Sequence, residues 1–134
     1  MMGLRAWRRG EERLTPLLAG VLLLLAACNA KRERAEERVM AADSAWHVQA
    51  WGSPRSEDDR IKRKRELDCV WDAVARAGGD QQADFECLAR KLETGADCFR
   101  ANAGRADIGS LCDEQFKSVC TTSAAFDSAA KSCR

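Results

Sequence analysis

The chain has 134 residues, 32% of them charged, with 22 Lys and Arg against 21 Asp and Glu and a single His. That even balance lacks the net basic excess that marks a nucleic-acid-binding domain. One His and no Tyr leave few groups for acid–base or nucleophilic catalysis.

Residues 1–27 are laid out as a secretory signal. Arg5, Arg8, Arg9 and Arg13 outnumber Glu11 and Glu12, an apolar run extends from Leu17 to Ala27, and small residues close it. The run is shorter than the roughly 20 apolar residues that span a bilayer. Pro16 disturbs any helix built back through Arg13.

The end of that run, Leu25-Ala26-Ala27-Cys28, resembles the lipobox of bacterial lipoproteins. The resemblance covers only the first 28 residues. It implies diacylglycerol on the Cys28 sulfur, cleavage before Cys28 and acylation of the new amine. The bland alternative is plain secretory cleavage after Ala27. Each buried CH₂ contributes ~0.8 kcal/mol, so two or three chains on one residue hold a protein at a membrane where one does not. Asn29 follows, not the Asp that retains enteric lipoproteins at the inner membrane. The resemblance thus implies an exported, lipid-anchored envelope protein, with the outer membrane favoured.

Without the four Arg and two Glu of the leader, 18 basic and 19 acidic residues remain in a mature chain of 107. Residues 67–134 carry 8 basic against 11 acidic, so the folded part is mildly acidic. With Cys28 lipidated, Cys69, Cys87, Cys98, Cys112, Cys120 and Cys133 make an even set, which in a small exported domain reads as three disulfides.

The segment Lys31–Arg38 is nearly all charged and reads as solvated. Val39, Ala42 or Asp43, Trp46 and Ala50 then recur at helical spacing, ended by Gly52-Ser53-Pro54. Residues 28–55 are accordingly expected to form a charged, partly helical tether. Trp46 and Trp51 within it are candidate partner-binding residues, since exposed aromatics are typical anchors; the competing reading folds them onto the domain core. His47 beside them reads as a packing or surface residue.

Residues 56–134 form the expected six-Cys domain. Ser56 with Glu57, Asp58 and Asp59 starts a helix that Gly78-Gly79 stops. Its stripe is Leu67, Val70, Trp71 and Val74. The run Lys62-Arg63-Lys64-Arg65 reads as a solvated face. Asp80 caps a second helix with Phe85, Leu88, Ala89 and Leu92 on one side, continuing to Ala96 and Phe99 if Gly95 does not break it. Asp107 starts a third, and Thr121-Thr122-Ser123 a short fourth with Phe126, Ala129, Ala130 and Cys133 in line. Nothing reads as a strand. The expected fold is all-α, a small antiparallel cluster of about four short helices stapled by three disulfides.

Counting from the turns pairs Cys98 with Cys112, which lie 6 and 8 residues from Gly104. The other four close either as 69–87 with 120–133 or, nested, as 87–120 with 69–133.

No Cys-x-x-Cys, phosphate loop or Gly-x-Gly-x-x-Gly occurs, so neither cofactor nor metal is indicated. Asp113-Glu114 and Asp68/Asp72 read as solvated carboxylates. The expected function is non-catalytic: an envelope lipoprotein held to the membrane through Cys28 and serving as an interaction module for another envelope protein. The alternative is a small lipid- or ligand-binding carrier, with an apolar cavity among Leu67, Trp71, Phe85, Leu88 and Phe99.

Overall fold

The computed structural model describes residues 15–134; the basic start of the leader, Arg5 to Arg13, lies outside them. Five helices follow one another: α1 Thr15–Trp51, α2 Glu57–Arg76, α3 Gln81–Ala101, α4 Ile108–Ser118 and α5 Ala124–Ser132. No strand occurs among the described residues, and the chain adopts the expected small, disulfide-stapled all-α fold. It divides into two units, Met1–Lys31 and Arg32–Arg134, with the boundary inside α1.

In the first unit the helix opens with Pro16 in its first turn, where a missing N–H removes no intrahelical bond. Leu17, Leu18, Val21, Leu22, Leu23, Leu24 and Leu25 are all exposed. Among the described residues, no helix is long and apolar enough to cross a membrane.

The second unit begins at Arg32, not at Ser56, and this corrects the reading of residues 28–55 as a tether. Ala35, Glu36, Val39, Ala42 and Asp43 are buried along α1, at the i, i+4, i+7, i+8 spacing of a core-facing helix. The segment Lys31–Arg38 is therefore not solvated throughout, since Ala35 and Glu36 within it are buried. Two of the five buried residues of α1, Glu36 and Asp43, are carboxylates, each held by neighbouring cations.

Ion pairs set the direction of α1 against α2. Arg32 reaches Asp68 and Asp72, Glu36 takes Lys64, and Asp43 takes Arg63 and Arg55. As one number rises the other falls, so the two helices are antiparallel. Gly52, at φ +75° after the last turn of α1, supplies the left-handed conformation that starts the return.

The later helices start and stop where their sequence signals lie. Ser56, Asp80 and Ser123 each accept a backbone N–H three residues on, at 3.1 Å. Gly78, at φ +73°, ends α2 and turns the chain into α3. That helix runs unbroken through Gly95. Leu67, Val70 and Val74 of α2 face Phe85, Ala89 and Leu92 of α3 and Phe126 and Ala129 of α5 in one core. Phe85 lies at its centre, edge-on to Trp71 at 5.0 Å and to Phe126 at 6.1 Å between ring centroids. Burying such a ring or a Leu stabilises by about 1.5–3 kcal/mol per side chain.

Three disulfides close the unit. Cys98–Cys112 joins α3 to α4, as counting from Gly104 predicts. Cys87–Cys120 and Cys69–Cys133 take the nested arrangement of the two left open. The last spans 64 residues and ties α2 to the C-terminus, so it constrains the unfolded chain most, by about 4 kcal/mol on loop-closure entropy.

Candidate functional site

Two places in the described chain are candidates for function: the Cys28 segment of the first unit and an aromatic cleft wholly within the second. Cys28 is exposed on α1 and is the free cysteine left when the six others pair. Its exposed position after the apolar run leaves the sulfur open to modification.

The two Trp residues singled out from sequence part company. Trp51, the last residue of α1, is 70% exposed. Trp46 is half-buried, its ring standing at 89° to that of Phe99 with centroids 6.5 Å apart. It comes this close to α3 because position 95 is Gly: a Cβ there would lie 2.8 Å from Trp46 Cδ1 and 3.5 Å from Phe116 Cδ2. One glycine thus makes room for two aromatic rings. Trp46, Phe99, Gly109, Cys112, Asp113 and Phe116 line a cleft of about 280 Å³ between α1, α3 and α4. His47, adjacent, is spent on structure, with Nδ1 2.6 Å from the Ser53 carbonyl oxygen in the turn after α1.

The cleft was not legible in sequence. Nothing local in the sequence says that Phe116 meets Trp46, seventy positions earlier in the chain. An interior Gly in an otherwise helical pattern was the one available signal, because such a Gly often marks a close packing approach.

The charged residues are also arranged differently from expectation. Arg32 donates to Glu36 Oε1 at 3.1 Å, to Asp68 Oδ1 at 2.9 Å and to Asp72 Oδ1 at 3.2 Å, and Lys64 donates to Glu36 and Asp68. Asp68 and Asp72, read as solvated, hold α1 to α2. In the run Lys62-Arg63-Lys64-Arg65, two members turn to acidic partners: Arg63 to Asp43 and Glu66, Lys64 to Glu36 and Asp68. Burial pushes the Glu36 carboxyl above the usual carboxylate range, Asp68 adding to the push and Lys64 and Arg32 opposing it. Burial also pushes Asp68 up, but the company of Glu36, Arg32 and Lys64 outweighs it and holds that carboxyl below its ordinary value. The cluster is a helix–helix clamp in which Arg32 and Lys64 are shared among Glu36, Asp68 and Asp72.

Comparison with protein-family models, with curated proteins and with solved structures finds no match for this chain.

Proposed function

We propose that this chain is a non-catalytic lipoprotein of the bacterial envelope. Acyl chains on Cys28 anchor it, and its folded unit serves as an interaction module for another envelope protein. The observation that carries the reading is the partition of the cysteines. Six close three disulfides within residues 32–134, and the seventh stands free and exposed at the end of a lipobox-like sequence. Disulfides persist in oxidising compartments, which agrees with export.

Cleavage before Cys28 would leave Cys28 to Lys31 ahead of the folded unit. Four residues reach at most about 14 Å when extended. The module would therefore work close to the membrane surface. Trp51 is its foremost protein-contact candidate, being a large aromatic exposed at a helix end. The carrier reading draws less support. Leu67 and Phe85, two residues of its expected cavity, are 1% and 0% exposed and belong to a packed core.

Intact-mass analysis of membrane-extracted protein tests the anchor. The expected product begins at Cys28, carries a diacylglycerol and an amide-linked acyl chain, and is six hydrogens lighter than the reduced chain for its three bridges. Cys28→Ser should abolish both lipid and membrane retention. A product beginning at Cys28 without lipid would overturn the anchor. For the module, photocrosslinking from position 51 on intact cells should capture one discrete envelope protein, lost when the crosslinker is moved to position 131 on α5.

A further inference from the structure

We propose that the cleft between α1, α3 and α4 is a binding site for a quaternary ammonium group. This goes beyond the anchor and the protein-interaction reading and depends on neither. Three aromatic rings from three different helices, Trp46, Phe99 and Phe116, wall a cleft whose remaining side chains are the disulfide-bonded Cys112 and the carboxylate Asp113. An aromatic ring is electron-rich on its face, and a cation within about 6 Å of its centroid is attracted without any hydrogen bond. Phe116 already draws a cation in this way: Lys91, which does not line the cleft, holds its Nζ 5.7 Å from the Phe116 centroid.

Hydrogen-bonding capacity in the cleft decides which cation fits. A primary ammonium brings three N–H donors that need acceptors when desolvated. The only carboxylate in the lining, Asp113, is already engaged by Lys117 on the next turn of α4. A quaternary ammonium carries its charge on methyl groups and asks for no acceptor, so aromatic walls suffice for it. Size agrees with this. The volume of about 280 Å³ is ample for a trimethylammonium head. Two rings meeting near a right angle suit a roughly spherical group better than a flat one.

The test is titration of the full chain in maltoside micelles, following the Trp46 indole N–H by NMR, its signal assigned by its loss in Trp46→Phe. Choline and tetramethylammonium should move that signal saturably. The neutral carbon isostere of choline, 3,3-dimethyl-1-butanol, should bind about tenfold more weakly, and methylammonium likewise. Equal affinity for choline and the butanol would show an ordinary apolar cleft, and absence of saturation would show no site; either result overturns the proposal. Phe116→Leu, which keeps apolar bulk and removes the ring, should weaken choline binding roughly fivefold. Should that variant lose its helical signal, Asp113→Asn on the exposed rim serves instead, weakening choline severalfold and leaving the butanol unchanged. Adding soluble dibutyroyl-phosphatidylcholine separates the sources: binding at least as tight as choline assigns a lipid headgroup, and weaker binding assigns a free small molecule.

Discussion

Lys64 reaches from α2 to donate to Oε2 of Glu36 on α1, and the Glu36 side chain is only 1% exposed. A carboxylate removed from water is stable only while its cations stay. Lys64→Met leaves Arg32 as its remaining cation and, Lys64 being half exposed, should destabilise the fold by about 1–2 kcal/mol. The double variant Glu36→Gln with Lys64→Met removes charge and countercharge together and should recover part of that loss. Urea melts of the four proteins, read as a double-mutant cycle, give the coupling directly. Additivity of the two changes would show that the pair is not a unit.

The same carboxyl gives stability a pH dependence with a definite sign. Its folded value is raised above 4.5, so the folded state holds the proton more tightly than the unfolded state does. Stability from this group is complete below 4.5 and declines as pH rises through the raised value. Asp68 acts oppositely: its folded value is lowered below 3.8, so its contribution is present above 3.8 and disappears on further acidification. Between 4.5 and neutrality Glu36 therefore acts alone of the two. The stability of the natural protein relative to Glu36→Gln should fall as pH rises across that window, measured by urea melts at each pH.

Asp84 is buried, and both its oxygens are taken by Ser123: the backbone N–H at 2.7 Å and the hydroxyl at 2.6 Å. Ser123 Oγ in turn caps α5 by accepting the Phe126 N–H. One carboxylate on α3 thus positions the start of another helix. Asp84→Ala should cost about 2–3 kcal/mol, since hydrogen bonds to charged groups are the stronger ones. Amide exchange should rise first in the opening turn of α5, because Cys69–Cys133 still holds its other end. Ser123→Ala on that background should cost much less than it does alone, the two residues sharing one network.

Helices α2, α3 and α5 were legible because their signals are local. Ser56, Asp80 and Ser123 are caps within three residues of the groups they serve, Gly78 supplies a conformation that other residues resist, and the Leu67–Val74 stripe needs only its own spacing. The stripe of Val39, Ala42 or Asp43 and Trp46 was legible by its spacing, but the burial of Ala35 and Glu36 in the charged run before it was not, because formal charge normally means exposure. Glu36 and Asp43 break that rule through partners on the next helix and in the turn before it, which composition cannot register. The cleft failed for a related reason. Trp46, Gly95 and Phe116 come from three helices, and only the fold brings them together. The disulfides fall between these cases: Cys98–Cys112 sits astride one turn, whereas the other two follow from how α4 and α5 return across α2 and α3.

The strongest consequence of that difference concerns where the folded unit starts. If α1 from Arg32 is part of the core, a chain of residues 32–134 should fold, and a chain of residues 56–134 should not, although both keep all six paired cysteines. The shorter chain loses Val39 and Ala42 from the core and Trp46 from its place against Gly95, and it exposes the faces of α2 and α3 that they covered. It also strands Asp68 and Lys64 without Arg32 and Glu36. Three bridges at roughly 2–4 kcal/mol each would still restrain its unfolded state, so it should be collapsed rather than fully open. Expected readouts are a cooperative thermal transition and a protected core by amide exchange for 32–134, against a broad transition and dye-binding apolar surface for 56–134. A sharp, native-like transition in the shorter chain would return residues 32–55 to the role of a tether.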